Sequence, residues 1–136
     1  MSDWNKGVIE EFRANGGRIA AFGDADMVIL HHTGAKTGKE RETPLVSQVD
    51  GDKVIVFASK AGAPSHPDWY HNLVANPRAH IEIGSDAHDV VARVATGEER
   101  ERLWSRQKEM MPGFAEYEKT AGDREIPVIV LERTAT

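Results

Sequence analysis

The 136-residue sequence contains no cysteine. That excludes disulfides, thiolate nucleophiles and the usual structural zinc sites, without fixing a compartment. Positive charge is scarce as well. Lys and Arg number 17 against 22 Asp and Glu, a formal net charge of −5, which argues against generic nucleic-acid binding. Aromatic residues make up only 7%, and few fall on expected strands, so a base-stacking platform is also disfavoured. No apolar run approaches membrane-spanning length, which speaks against stable membrane insertion. Met1-Ser2-Asp3-Trp4-Asn5-Lys6 has no apolar signal-peptide core. No G-x-G-x-x-G follows a strand and no Walker A spacing occurs. Repeats and low-complexity tracts are absent. The expectation is one soluble, cytoplasmic domain over 1–136, with 40% hydrophobic and 29% charged residues.

What is present centres on His31-His32-Thr33-Gly34-Ala35-Lys36-Thr37-Gly38-Lys39-Glu40-Arg41-Glu42-Thr43-Pro44-Leu45. The apolar run Met27-Val28-Ile29-Leu30 leads in and Leu45-Val46 leads out. Glycines allow positive φ and close backbone approach. Backbone N–H groups of such a turn can form an anion-binding concavity. Lys36, Lys39 and Arg41 add charge, and an arginine can grip a phosphate bidentately. The stretch reads as a phosphate-binding hairpin, or as an ordinary exposed basic turn. Lys39 is expected to point to solvent.

Around it the chain alternates short strands and helices. A helix is expected over 3–15, from the spacing of Trp4, Val8, Ile9 and Phe12. Strands are expected over 26–33, 42–50, 53–59, 78–84, 88–96 and 126–132. Helices are expected over 67–75, with Pro67 in the first turn, over 98–111, with Thr96 as cap, and over 114–119. Leu103, Trp104, Gln107, Met110 and Met111 define one face of the long helix. Glu98 to Arg102 reads as a solvated face. Short strands joined by tight turns favour a mainly β, α+β fold: a six-stranded antiparallel split barrel over about 26–132 with flanking helices.

A second block, Ala58-Ser59-Lys60-Ala61-Gly62-Ala63-Pro64, ends the third strand, and Pro67-Asp68-Trp69-Tyr70-His71-Asn72-Leu73 follows. A hydroxyl, a cation and small residues at a strand end let a flat ligand approach the backbone. Leu73 reads as core, and Trp69 as core or pocket wall. His31 and His32, adjacent on a strand, face opposite ways, and no histidine spacing suggests a metal site.

Together these residues resemble the deazaflavin-dependent nitroreductase family of actinobacteria, which uses coenzyme F420. The match rests on Thr33-Gly34-Ala35-Lys36-Thr37-Gly38, Arg41, Thr43-Pro44-Leu45, Ala58-Ser59-Lys60, Gly62-Ala63-Pro64, Pro67 to Leu73, Ala75-Asn76-Pro77, Tyr117 and Arg124-Glu125-Ile126-Pro127-Val128. The resemblance implies a split barrel like that of flavin-binding oxidases. It implies cofactor-binding roles for Lys36, Thr37, Gly38, Arg41 and Thr43 at the phosphate and early tail. Lys60 would meet the glutamyl carboxylates, and Pro44, Leu45, Ala58, Ser59, Gly62 and Ala63 would line the deazaflavin. Trp69 would close the pocket. Ser59 and Tyr117 are the catalytic candidates. One departure stands out: in Met111-Pro112-Gly113-Phe114-Ala115-Glu116-Tyr117 only Tyr117 keeps a hydroxyl, where some nitroreductases of the family carry tyrosines.

The function so implied is hydride transfer from reduced F420 to a small acceptor such as an enone, quinone or nitro compound. A non-catalytic F420-binding or storage protein and an FMN-binding split-barrel reductase are the alternatives. The chain would act as monomer or homodimer, with no metal, and with peripheral membrane association left open.

Overall fold

In the computed structural model, residues 3–16, 27–51, 53–58, 66–84, 86–122 and 125–134 are described. The order is α1 (Asp3–Ala14), β1 (Met27–Thr33), β2 (Glu40–Asp50), β3 (Lys53–Phe57), α2 (Asp68–Ala75), β4 (Arg78–Ile83), β5 (Asp86–Val94), α3 (Gly97–Met110), α4 (Gly113–Thr120) and β6 (Val128–Arg133). All six strands pair antiparallel and close into a barrel in the order β1-β2-β3-β6-β5-β4. This is the expected barrel with flanking helices. Strand ends shift by a few residues: β2 starts at Glu40, β5 at Asp86 and β6 at Val128. Asp68 begins α2, so Pro67 is its N-cap rather than a first-turn residue.

The two-residue period of a strand sorts side chains between two cores. Val28, Leu30, Val54, Val56, Ile81, Val90, Ile129 and Leu131 fill the barrel, and Trp69 and Leu73 of α2 pack on them. Ile55, Phe57, Val128 and Val130 face outward, where Leu103, Trp104 and Phe114 of α3 and α4 cover them. Val8, Ile9 and Phe12 of α1 cover Met27 and Ile29 on a third side. Helix α1 is also pinned electrostatically. Arg13 donates to both oxygens of Glu82, at 2.9 and 2.7 Å, and this hydrogen bonding holds the Glu82 carboxyl down at about 2.

Three expectations for the long helix change. Thr96 is the N-cap of α3, but its hydroxyl makes no capping bond. Met110 is exposed, one position beyond the buried face of Leu103, Trp104 and Gln107. Arg100 is buried rather than solvated, because its Nη2 donates to the Ile126 carbonyl at 2.9 Å and ties α3 to the approach to β6. Gln48, also fully buried, donates to the Leu103 carbonyl at 3.1 Å.

One feature of the ladder positions the site. Strand β2 pairs with β1 through residues 40–46 and with β3 only through 47–50. Among the described residues, the second edge of 40–46 is therefore unpaired. Strand β3 ends at Phe57, and the Ala58 N–H donates to the Pro127 carbonyl at 3.0 Å. The ladder splits there among the described residues, beside Thr43, Pro44 and Leu45.

Candidate functional site

The β1–β2 hairpin carries the basic cluster at the mouth of that split. Its tightness requires glycine: a Cβ on Gly34 would lie 2.8 Å from Thr37 Oγ1, and Gly38 has φ +70°. Gly34 N–H donates to the Lys39 carbonyl at 2.8 Å and Gly38 N–H to the Gly34 carbonyl at 2.9 Å. Lys39 N–H donates to Thr37 Oγ1 at 3.3 Å, and Ala35 N–H to Asn72 Oδ1 at 2.8 Å. These four N–H groups are thus committed within the protein. The expected backbone anion cradle is narrowed accordingly: in this hairpin most amides hold the turn, which leaves the basic side chains as the groups a ligand could meet.

Those side chains are available. Among the described residues, Lys36, Lys39 and Arg41 make no ion pair. They border two adjoining depressions. One, of about 500 Å³, is lined by His32, Lys39, Arg41, Thr43, Asp68 and Trp69, together with Glu40 and Glu42. The other, of about 340 Å³, is lined by Gly34, Lys36, Thr37, Arg41, Asp68 and Asn72, with Ala35 and His71. Arg41 belongs to both. Lys39 is exposed and also borders the first depression. Trp69 resolves its two readings by doing both: it is 7% exposed, part of the barrel core, and a wall of the first depression.

Of the residues named from the sequence, the structure brings Lys36, Thr37, Arg41, Thr43 and Trp69 around these depressions, with Gly38 in the turn between them. Leu45 packs on the barrel core, Ala58 is buried in it, and Pro44 sits opposite Ile29 on β1. Ser59, Lys60, Gly62 and Ala63 lie outside the described residues. Tyr117 is on α4, partly buried, with its ring 5.2 Å from that of Phe114, and lines neither depression. Phe114 is itself core, packed against Phe57 and Trp104.

Sequence reasoning passed over His32 and Asn72. His32 shares the inward face of β1 with Val28 and Leu30, where a polar ring must find partners. Its Nε2 lies 2.8 Å from Thr43 Oγ1 and its Nδ1 lies 3.0 Å from Asn72 Nδ2. Burial, reinforced by Arg41 and His31 and opposed by Asp68, lowers its pKa to about 4. The available signal was strand alternation, which puts His32 inside once His31 is outside. His31 does face out, 2.6 Å from Glu82 Oε2. No group of His, Asp or Glu suited to a metal occurs among the described residues.

The barrel carries a basic hairpin beside this edge of β2, and similarity to known proteins decides the family. Residues 4–133 match the model of the F420H(2)-dependent quinone reductases. The chain belongs to this family. An F420H(2)-dependent quinone reductase of Mycobacterium tuberculosis is 37% identical over 126 residues, covering 90% of this chain and 85% of that protein. The solved structure of an F420-H2 dependent reductase, FDR-A, is 42% identical with a TM-score of 0.72, over 78% of this chain and 93% of that one. A second, described as a domain-swapped dimer, is 38% identical with a TM-score of 0.73, over 96% and 98%. The resemblance read from the hairpin and the second block is thereby borne out.

Proposed function

We propose that this protein is an F420-dependent oxidoreductase that reduces a quinone-like acceptor, acting as one domain over 1–136 with its barrel at about 26–132. The observation that carries the reading is the hairpin itself: cations that make no ion pair among the described residues, beside an edge of β2 left unpaired among those residues, in a member of this family. Arg41 and Lys36 would hold the coenzyme phosphate, Thr43 would hydrogen-bond it, and Trp69 would wall the site. Lys60 would meet the tail carboxylates, and Pro44, Leu45, Ala58 and the loop with Gly62 and Ala63 would flank the ring. The bound coenzyme supplies hydride; the protein supplies position and electrostatics. Ser59 is the proposed hydrogen-bond partner of ring or acceptor, and Tyr117 the proposed proton source. An acidic protein holding an anionic coenzyme needs its cations gathered in one place, and this hairpin gathers them.

The chain is proposed to act in the cytoplasm; no helix among the described residues is long and apolar enough to cross a membrane. A homodimer is the assembly favoured by the domain-swapped relative.

The test of the cofactor is a side-by-side titration with F420 and FMN. Clear preference for F420 is expected, and equal or tighter FMN binding would overturn the assignment. Turnover then separates a reductase from a storage protein. With reduced F420 present, a quinone should be consumed, whereas a storage protein would bind and not turn over.

The acceptor range is the second prediction. Phe114 has no hydroxyl and is locked in the core, so only Tyr117 remains in that segment. Bicyclic nitroimidazoles should be reduced weakly or not at all in an assay where quinones are reduced. Brisk nitroimidazole turnover would show that another donor serves.

A further inference from the structure

The polar groups behind the hairpin form a chain whose direction can be worked out. It begins at the Ala35 N–H, which can only donate, and which lies 2.8 Å from Asn72 Oδ1. The Asn72 amide is thereby oriented, with its Nδ2 toward His32 Nδ1 at 3.0 Å. An amide nitrogen only donates, so Nδ1 must accept and carry no proton. The imidazole is then neutral with its proton on Nε2. That N–H points at Thr43 Oγ1, 2.8 Å away, and the hydroxyl oxygen accepts. Among the described residues Thr43 Oγ1 has no other hydrogen-bond partner. Its own O–H is left to donate, beside a depression it shares with Arg41 and Lys39.

We propose that Asn72 and His32 are positioning residues that hold Thr43 with its O–H free to donate to an anionic oxygen of the bound coenzyme, and that tie this donor to the hairpin backbone at Ala35. The ligand identity rests on the coenzyme reading above; the polarity of the chain does not. Three segments contribute: the hairpin turn at Ala35, α2 at Asn72, and the paired strands β1 and β2 at His32 and Thr43. A shift in the hairpin would therefore be felt at Thr43, because Asn72 touches both. Without the chain, a threonine hydroxyl beside a cleft could donate or accept. With it, one of the two lone pairs is already taken while the O–H is free, which favours a phosphate or carboxylate oxygen over a donor group.

The charged and titratable groups around His32 agree with a neutral ring. Arg41 on β2 and His31 on β1 disfavour its protonation, burial does so most, and Asp68 on α2 opposes them without prevailing. The linkage follows. The unfolded chain takes up a proton near the usual 6.5, whereas the native ring resists until about 4. The unfolded state therefore binds more protons in that window, and stability falls as pH drops from 6.5 to 4. Above 6.5 the contribution is complete and constant. Glu82 acts in a lower window, from the ordinary 4.5 down to about 2.

The experiment uses the full chain labelled with 15N-histidine, the His32 signals being assigned by their loss in His32→Gln. Neutral, Nε2-protonated shifts for His32 from pH 8 to pH 5 are expected. Asn72→Asp places a carboxylate against Nδ1 and should convert the ring to the doubly protonated form at neutral pH. An Nδ1-protonated ring, or titration near 6.5, overturns the proposal. Thermal melts should show a decline between pH 6.5 and 4 that is shallower in His32→Gln; equal slopes count against it. In F420 titrations Thr43→Ser should bind as the parent does and Thr43→Val roughly tenfold more weakly, the scale of one charge-assisted hydrogen bond. Equal binding by Thr43→Val overturns the donor role. If the parent does not bind F420, the coenzyme reading fails while the histidine spectra still decide the chain, and the Thr43 pair is then compared with inorganic phosphate as the probe.

Discussion

Replacing Arg41 by alanine will weaken F420 binding roughly ten- to a hundredfold and leave the barrel folded. Arg41 is exposed at the start of β2, opposite His32 across the ladder. It makes no ion pair among the described residues, so the fold loses little when it goes. What goes with it is a guanidinium that borders both depressions. A hydrogen bond to a charged group is worth about 1.5–3 kcal/mol, and each 1.4 kcal/mol is about tenfold in affinity. Lys60→Ala is expected to act similarly at the carboxylate end of the tail. Added salt should weaken the parent more than Arg41→Ala, since part of the screened attraction is already gone from the variant. Lys119→Ala is the control: Lys119 is exposed on α4 beside Glu116, far in sequence from the hairpin. Unaltered coenzyme affinity in Arg41→Ala, with circular dichroism unchanged, would show that the hairpin does not hold the anion.

The largest stability effect is expected at Trp104, where Trp104→Ala should cost about 3–5 kcal/mol. The ring is 1% exposed and is the largest of the fully buried side chains. It packs with Phe57 at 5.7 Å and Phe114 at 6.1 Å between ring centres. Arg100 and Lys108 lie over it at 5.9 and 5.8 Å. Its Nε1–H donates to Glu118 Oε2 at 2.6 Å, which is the main cause of the lowered Glu118 pKa. Truncation therefore removes the joint between α3, α4 and the outer face of β3, and leaves Glu118 without its donor. Against a total stability of about 5–15 kcal/mol for a domain of this kind, the melting temperature should fall by roughly 10–20 °C. Trp104→Phe keeps most of the packing and should fall less. Below its melting temperature Trp104→Ala should still bind F420 like the parent, because neither depression at the hairpin includes this cluster. A melting temperature within about 3 °C of the parent would mean that the cluster does not anchor α3 and α4.

Much of this molecule is legible from local pattern. Strand alternation over Met27–Thr33 already sends His31 and His32 to opposite faces, and the structure agrees. The Asn76-Pro77 pair ends α2 after Ala75, and helical spacing puts Leu73 in the core. The blocks at the hairpin and at Pro67 to Leu73 carry the family resemblance on their own. Composition excludes thiolate chemistry outright. These readings succeed because each depends on residues a few positions apart, where periods of two and 3.6 dictate which side chains share a face.

Tertiary structure decided what depends on register and docking. The sequence offers Arg100 as one charge in a charged run, but the seating of α3 buries it against the carbonyl of Ile126. Phe114 reads as a missing hydroxyl, and the packing of α4 makes it a core residue. The hairpin amides read as an anion cradle, yet the Thr37 hydroxyl and Asn72 take two of them, at Lys39 and Ala35. Above all, Asn72 reaches His32 across 40 positions and His32 reaches Thr43 across 11. Such contacts carry no local period. A hydrogen bond is lost over a few tenths of an ångström or a modest angle, so its partners are settled only when strand register and helix position have been settled first.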